Sequence, residues 1–269
     1  MHRDIMNKIF LIFGLVQLLA VFTASAQNWP SMNLTEIDPA RLKAAQITVS
    51  QDPVYKSAKQ YQGYALTEIL KNLKIPKPYQ PEDMVIVFTA KDGYRVAMAF
   101  NDAINEQGYI AFRDTAAAEN KKWLEFKFGK QKTTPAPFYL VWPKQGLDKW
   151  RYPWPYQLTA ISLEPASVYF GAAAPRHSDT EVRKGFNLFS TYCIRCHSVN
   201  LAGGQLGPEL NVPKNITEYF IAGELSGFIL NAPAYRAGTK MPVFAETLGA
   251  DQVQSIVHYL QHMKTEKIN

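Results

Sequence analysis

Cysteine is nearly missing from this chain of 269 residues: Cys193 and Cys196 are the only two. A four-cysteine zinc site therefore cannot be completed. Histidine is absent between His2 and His177, and cysteine is absent before Cys193. The long middle of the chain thus has no thiolate or imidazole with which to hold a transition metal. Dense Lys/Arg runs are missing as well. The net charge of +6 is spread thinly, with 2 basic and 1 acidic residues in 1–26, 18 and 14 in 27–175, and 9 and 8 in 176–269. Phosphate backbones need clustered charge, which excludes nucleic acid as a partner, and the weakly basic middle reads as solvated surface. No G-x-G-x-x-G stretch precedes a helix pattern, so the glycines near residue 204 are not a phosphate cradle. Apolar residues are not scarce: 47% hydrophobic content over this length supports more than one core, and two domains are expected.

What the chain does have is Cys193-Ile194-Arg195-Cys196-His197, a C-x-x-C-H run. This spacing is the attachment signal for c-type haem. Two thiols one helical turn apart can both add across the vinyl groups of one porphyrin. The histidine that follows projects a neutral imidazole under the plane, where it suits iron. C-x-x-C alone would equally suggest a redox dithiol or half a zinc site, but neither needs the adjacent histidine. Cys193 and Cys196 are thus expected as thioethers and His197 as an axial ligand.

The N-terminus reads as a targeting segment. Arg3 and Lys8 form a short positive region, residues 9–24 are almost wholly apolar, and Ala24-Ser25-Ala26 supplies a small-residue cleavage pattern. Cleavage there makes Gln27 the first mature residue. The competing reading is an uncleaved anchor in the inner membrane facing the periplasm, because the run approaches the length of a span. Export to the periplasm fits the haem motif, since covalent attachment is expected outside the cytoplasm. With both thiols consumed, no disulfide framework follows.

Residues 28–170 read as a mixed α and β region. An alternating run over 47–54 places Thr48, Ser50 and Asp52 between apolar residues, as a strand would. Leu66, Ile69, Leu70 and Leu73 recur at helical spacing within 64–73. Pro76, Pro78 and Pro81 turn the chain. Residues 85–90, an Asp92-Gly93 turn and residues 94–100 make a hairpin. A short helix at 103–105, strands at 108–112, 138–143 and 156–163, and a charged, exposed stretch at 120–132 complete the order. Glu82 and Asp83 follow a proline at a turn and read as solvated rather than catalytic. Trp142, Trp150, Tyr152, Trp154 and Tyr156 form an aromatic loop, which reads as packing against the neighbouring domain or the sheet rather than as a ligand pocket or docking surface.

That order resembles the sulfite-oxidase-type, molybdopterin-binding fold. The matching pieces are Leu66-Thr67-Glu68-Ile69-Leu70, the strand–turn–strand from Val87 to Tyr94, the strand ending Tyr139-Leu140-Val141-Trp142-Pro143, and Trp154 leading into a last strand. The resemblance covers about residues 60–165 and implies an α+β domain with a mixed sheet. Family enzymes hold molybdenum through a cysteine thiolate, which this region lacks, so molybdopterin is not expected.

Ala172-Ala173-Ala174-Pro175 and the polar run after it read as a linker, with a helix starting after Ser178 and Glu181 completing a capping box. From there nearly all of residues 179–264 resembles a class I cytochrome c, an all-α fold. Gly185, Phe186 and Phe189 precede the cysteines, and in the family a glycine and an aromatic at this spacing let the first helix cross the last one closely. The last helix is expected at 250–263, with Val253, Ile256, Val257 and Leu260 on one face and Tyr259 beside them. The stretch Gly203-Gly204-Gln205-Leu206-Gly207-Pro208 is similar to the family loop whose proline carbonyl accepts the Nδ1 proton of the haem histidine, which implies that role for Pro208. Met241, in Thr239-Lys240-Met241-Pro242, stands 44 residues after His197 and resembles the family's Met-Pro ligand loop. Thioether sulfur there would raise the potential. Met263, His258 and His262 are rivals; the histidines, at i, i+4 spacing, read as a solvated face near the chain end.

The sequence therefore sets out a signal peptide at 1–26, a sulfite-oxidase-like α+β domain at 27–171, a linker at 172–180 and a cytochrome c domain at 181–269. The function it points to is a periplasmic carrier of single electrons through one covalent His/Met haem c, with the N-terminal domain docking or structural. Its partners would be redox proteins such as a dehydrogenase or terminal oxidase, with membrane contact only if the signal segment stays uncleaved. The alternative is a haem-linked oxidoreductase, or a subunit of one, acting on a small substrate such as a sulfur oxyanion. That reading needs a cofactor site the sequence does not display.

Overall fold

The computed structural model describes residues 28–144, 148, 150–176, 179–221 and 223–268. The expected signal segment and its cleavage site, as well as His177 and Ser178, lie outside them. No helix among the described residues is long and apolar enough to cross a membrane.

The first domain is built on one eight-stranded sheet. Its strands are β1 (Ser31–Asn33), β2 (Ala45–Val49), β3 (Lys59–Ala65), β4 (Met84–Ala90), β5 (Arg95–Ala99) and β6 (Tyr109–Asp114), with a helix α1 (Leu66–Leu70) after β3 and α2 (Phe100–Asn105) after β5. A two-stranded ribbon, β7 (Phe126–Phe128) with β8 (Gln131–Thr133), stands apart before β9 (Phe138–Val141) and β10 (Tyr156–Pro165). The sheet order is β2-β3-β6-β9-β10-β4-β5, with β1 added alongside β10. The expected sheet-rich α+β character is present. The recorded pairings are all antiparallel, however, so the mix of strand directions implied by the resemblance is not seen among the described residues.

β10 is the spine because it pairs on both edges, with β4 on one side and β9 on the other, through bulges near Leu158. β4 reads as a continuous apolar run and is buried along nearly its whole length, as a central strand covered on both faces must be. The strand expected over 47–54 stops at Val49. Asp52 does not face water as alternation would place it. It is fully buried and accepts hydrogen bonds from the Tyr61 hydroxyl at 2.8 Å, the Tyr139 hydroxyl at 3.2 Å and the amides of Val54 and Tyr55. A carboxylate so saturated makes a turn, not a strand. The charged stretch at 120–132 carries the ribbon β7–β8 and buries Trp123 and Phe126. Glu82 and Asp83 are exposed as expected, with Asp83 capping a single turn through the Gln80 amide.

The second domain is helical. Its first helix, α4 (Thr180–Tyr192), follows the short α3 (Ala166–Tyr169). The cap is Asp179 rather than Ser178: its carboxylate accepts the Val182 amide at 2.8 Å, and a negative charge at a helix N-terminus is favoured by the backbone dipole. α5 (Glu224–Leu230), α6 (Ala232–Tyr235) and α7 (Ala250–Met263) complete the set, and α7 has the bounds that its periodicity predicts. α4 crosses α7 at Gly185. A Cβ on Gly185 would overlap the Ser255 carbonyl oxygen and stand 2.8 Å from Tyr259 Cβ, so only hydrogen permits this approach. The Tyr259 ring then lies against Phe186 and Phe189, with centroids 5.6 and 5.1 Å away.

A ladder of three asparagines ties the loop side of this domain to the end of α7. Asn215 Nδ2 donates to the Leu260 carbonyl, Asn211 Nδ2 to that of Met263 and Asn200 Nδ2 to that of Glu266, at 2.8, 2.8 and 2.9 Å. They satisfy carbonyls that every helix leaves unpaired at its C-terminus. The stretch expected as a linker is seated rather than free. Gly171–Ala173 forms a turn whose last carbonyl accepts the Tyr259 hydroxyl at 2.7 Å, and Ala173 and Ala174 are buried in the helical core.

Gly185→Ala is expected to lower stability to denaturant by about 1–3 kcal/mol through overpacking, although alanine gains about 1 kcal/mol in helix propensity. Asn215→Ala should cost about 1–3 kcal/mol by orphaning buried partners. Lys184→Ala, on the exposed face of α4, should stay within about 0.5 kcal/mol. Guanidinium midpoints on the three variants check this.

Candidate functional site

The C-x-x-C-H motif continues α4 as a tight turn. The Cys193 and Ile194 amides both donate to the Phe189 carbonyl, at 2.8 and 3.0 Å, and the Cys196 and His197 amides both donate to the Cys193 carbonyl, at 3.0 and 2.9 Å. That winding is what brings the two thiols to one side. Burial pushes the Cys193 thiol up to about 12, with Cys196 beside it adding to the shift. Redox dithiols work through a depressed thiolate, so the environment here is opposite to a thioredoxin-like one.

After the motif, β11 (Ser198–Val199) and β12 (Ala202–Gly203) form a minimal hairpin whose turn residues Asn200 and Leu201 take φ of +54° and +63°. The glycine-rich loop folds back on the motif: Gly204 N–H reaches the Ile194 carbonyl and Gly207 N–H the Cys196 carbonyl, both at 2.7 Å. Pro208 arrives where its carbonyl oxygen lies 2.9 Å from His197 Nδ1. A proton on Nδ1 donated to that oxygen leaves Nε2 as the free, lone-pair nitrogen. Gly207 makes the approach possible, because a Cβ there would stand 2.7 Å from Nδ1 and 2.8 Å from Nε2.

Sequence reasoning missed Glu209, which holds this loop. Its carboxylate accepts the amides of Asn200, Leu201, Asn211 and Val212 at 2.8 to 3.2 Å, pinning the left-handed turn. Burial raises its pKa, but the hydrogen bonds from Ser198 and from the Asn211, Leu201 and Val212 amides outweigh that and bring it below the usual glutamate value. The signal available in sequence was a lone carboxylate after Gly-Pro, which says nothing about which amides it meets.

Met241 is half-buried, its amide donates to Thr239 Oγ1 at 3.2 Å, and it packs on the same apolar core as Cys193. The loop is fastened to the end of α5, where the Phe244 and Ala245 amides share the Leu230 carbonyl at 2.9 and 3.1 Å. Of the rivals, Met263 is fully buried in the core, His258 is exposed, and His262 Nε2 lies 3.1 Å from Glu266 Oε1. Among the described residues no group of three His, Cys, Asp or Glu side chains could hold a free metal ion.

The donor set fits a haem: two thiols on one turn, an imidazole with one nitrogen tied back, and a thioether on the same core. Leu206, Tyr219, Ile221, Tyr235 and Val243, all between the motif and α7 in sequence, are about half exposed or more. Residues 180–260 match the family described as cytochrome c oxidase, cbb3-type, subunit III. The C-terminal domain is therefore a cytochrome c domain, which carries covalently bound haem c and exchanges electrons with redox partner proteins. Among curated proteins, none matches the chain at a significant level.

Because the Glu209 pKa is depressed on folding, its stabilising effect is present above the ordinary glutamate value of 4.5 and is lost as pH falls through the lower folded value. Glu209→Gln should be less stable than wild type by about 1–3 kcal/mol at neutral pH. The gap should narrow below pH 4.5, read from urea unfolding as a function of pH.

Proposed function

We propose that this chain is an exported c-type cytochrome that passes single electrons through one haem, held by Cys193 and Cys196 as thioethers and by His197 and Met241 as axial ligands. Haem bound there supplies an iron centre that is oxidised and reduced one electron at a time. The observation that carries the reading is the 2.9 Å contact of His197 Nδ1 with the Pro208 carbonyl. It fixes the tautomer and the ring orientation, and leaves Nε2 as the nitrogen that would bind iron. His197 would supply nitrogen and Met241 sulfur to the haem iron, a pair that would raise its potential. The seated Met241 loop and the stapled Pro208 loop keep both ligands still, and electron transfer is fastest when little has to rearrange.

On this reading the N-terminal domain is a sulfite-oxidase-like scaffold without the thiolate that would hold molybdenum. It steadies the cytochrome domain and presents it to a partner such as a dehydrogenase or terminal oxidase. Two contacts support the scaffold role: Tyr192 donates its hydroxyl to Asp148 at 3.1 Å, and the Trp150 ring packs on Phe244 at 6.2 Å. The segment before Gln27 directs export to the periplasm and is removed there.

The test is the full chain matured in a periplasm that makes both haem c and molybdopterin. Iron at about one per chain without molybdenum, and Gln27 at the N-terminus, are expected; stoichiometric molybdenum would overturn the scaffold reading. Met241→Ala should abolish the methionine-sulfur charge-transfer band of the ferric protein and lower its potential. Persistence of that band would rule Met241 out.

A further inference from the structure

The ribbon of β7 and β8, separate from the main sheet, is fastened at its base. Phe126 lies against Tyr55 and Tyr156, with ring centroids 5.5 and 5.1 Å away, and the Tyr55 hydroxyl donates to the Leu124 carbonyl at 2.7 Å. Just before it Trp123 packs on Tyr61 at 6.0 Å. The other end projects. Gly129, in the two-residue turn, takes a φ of +60°, and a Cβ there would meet no atom within 4 Å.

The projecting end carries two kinds of side chain. Phe128 is 66% exposed, and Tyr156 at 6.5 Å is its one ring neighbour among the described residues. Lys127, Lys130 and Lys132 are exposed, as are Lys121 and Lys122 before the ribbon. Glu125 is the one acidic residue in 120–132, so five positive charges stand against one negative, an excess of four. Asp92, which lines a cavity with Phe128, brings the local excess to three. The register sets Lys127 directly opposite Lys132, and like charges so placed destabilise a hairpin. Glu125 reaches Lys132 at 3.8 Å, while Lys127 and Lys130 have no ion-pair partner among the described residues. An anion from outside the chain would relieve that repulsion.

Three features decide which anion fits. All five cations are lysine, point charges without the planar fork that fits a single shaped anion, so they suit a diffuse negative surface. The ribbon offers three residues per strand and a short turn, far below the roughly 20–30 residues a side of a specific protein interface. An exposed ring next to lysines matches a bilayer surface, where the ring sits at the acyl boundary and the ammonium groups stay among the headgroups.

We propose that the β7–β8 ribbon docks the protein on an anionic lipid bilayer, tip first, with Phe128 at the acyl boundary and Lys127, Lys130 and Lys132 among the headgroups. Such attachment is reversible and holds the first domain at a membrane surface without a spanning helix.

Co-sedimentation of the haem-loaded full chain with vesicles tests this, using phosphatidylglycerol mixed with phosphatidylcholine against phosphatidylcholine alone. The mixed vesicles should bind the chain and the neutral ones should not, and salt should weaken the binding. Replacing Lys127, Lys130 and Lys132 together by Gln should weaken it about hundredfold, at roughly fivefold per lysine. Phe128→Ser should weaken it about fivefold and leave the salt dependence unchanged. Lys71, Lys74 and Lys77 lie in and after α1, which packs in the other core of the first domain. Replacing those three by Gln removes the same charge and should change binding by no more than about twofold.

Equal loss in the two triple variants would mean that net charge alone draws the chain, and overturns the proposal. Full binding in Phe128→Ser is adsorption without insertion, and overturns it too. Binding to neutral vesicles, or binding that survives loss of the three ribbon lysines, puts the contact elsewhere, the apolar stretch of residues 9–24 included, and has the same consequence. Polyglutamate captured as tightly as the mixed vesicles overturns the choice of a bilayer. The substituted side chains are exposed, so each variant should fold. No arm depends on which groups bind the iron, so failure of the haem reading and failure of this surface are separate results.

Discussion

The cytochrome half of the molecule depends on one close contact, the crossing of α4 over α7 at Gly185. Without a Cβ at that point the two helices approach until the Ser255 carbonyl and the Tyr259 side chain fill the space a methyl would take. This fixes the axis of α4, and the axis of α4 fixes where Tyr192 ends and the thiol-bearing turn begins. It also places the C-terminus of α7 within reach of Asn200, Asn211 and Asn215, whose side chains lie in the loop that follows the motif. The loop, in turn, carries Pro208 to His197. A single missing methyl is therefore upstream of the imidazole's orientation, through a chain of contacts each of which can be named.

The parts of this arrangement that the sequence displays are those whose determinants are local. C-x-x-C-H is a turn of helix, and the apolar period of residues 250–263 marks α7 by itself. Pro208 was legible only through the resemblance of its glycine-rich stretch to the loop of cytochromes c that follows the haem motif. Glu209 was not, since its role is set by four amides that the folded loop gathers around it. Asp52 shows the same limit from the other side. Alternation of apolar and polar residues counts a carboxylate as facing water, and nothing near it in sequence announces that the Tyr61 and Tyr139 hydroxyls will converge on it. Strand direction was also out of reach, because it depends on which strands β10 pairs with rather than on any strand's own composition.

The aromatic loop of the first domain divides into two roles once placed. Trp142 is fully buried and gives its indole proton to the Pro153 carbonyl at 2.8 Å, a packing role for that domain alone. Trp150 leaves its own domain and meets Phe244, three positions beyond Met241, and Tyr192 meets the same ring at 6.4 Å. The loop that carries the candidate sulfur ligand thus touches a residue of each domain. Trp154 and Tyr156 remain at the border, facing the side of the motif that carries Arg195.

The apolar core of the cytochrome domain does not end where its family match begins. Ala173 and Ala174 belong to it outright, and Trp150, Ala166 and Phe170 pack on it from upstream of residue 180. A protease or a gene fusion that parted the chain at that boundary would leave the α4–α7 pair with one flank bare, including the Phe186 face that Phe170 covers at 5.6 Å. Inheritance of the two halves is then coupled. A cytochrome module traded for another by recombination would arrive without the wall that its first helix leans on, so drift in residues 150–174 and drift in α4 and α7 must keep pace with one another.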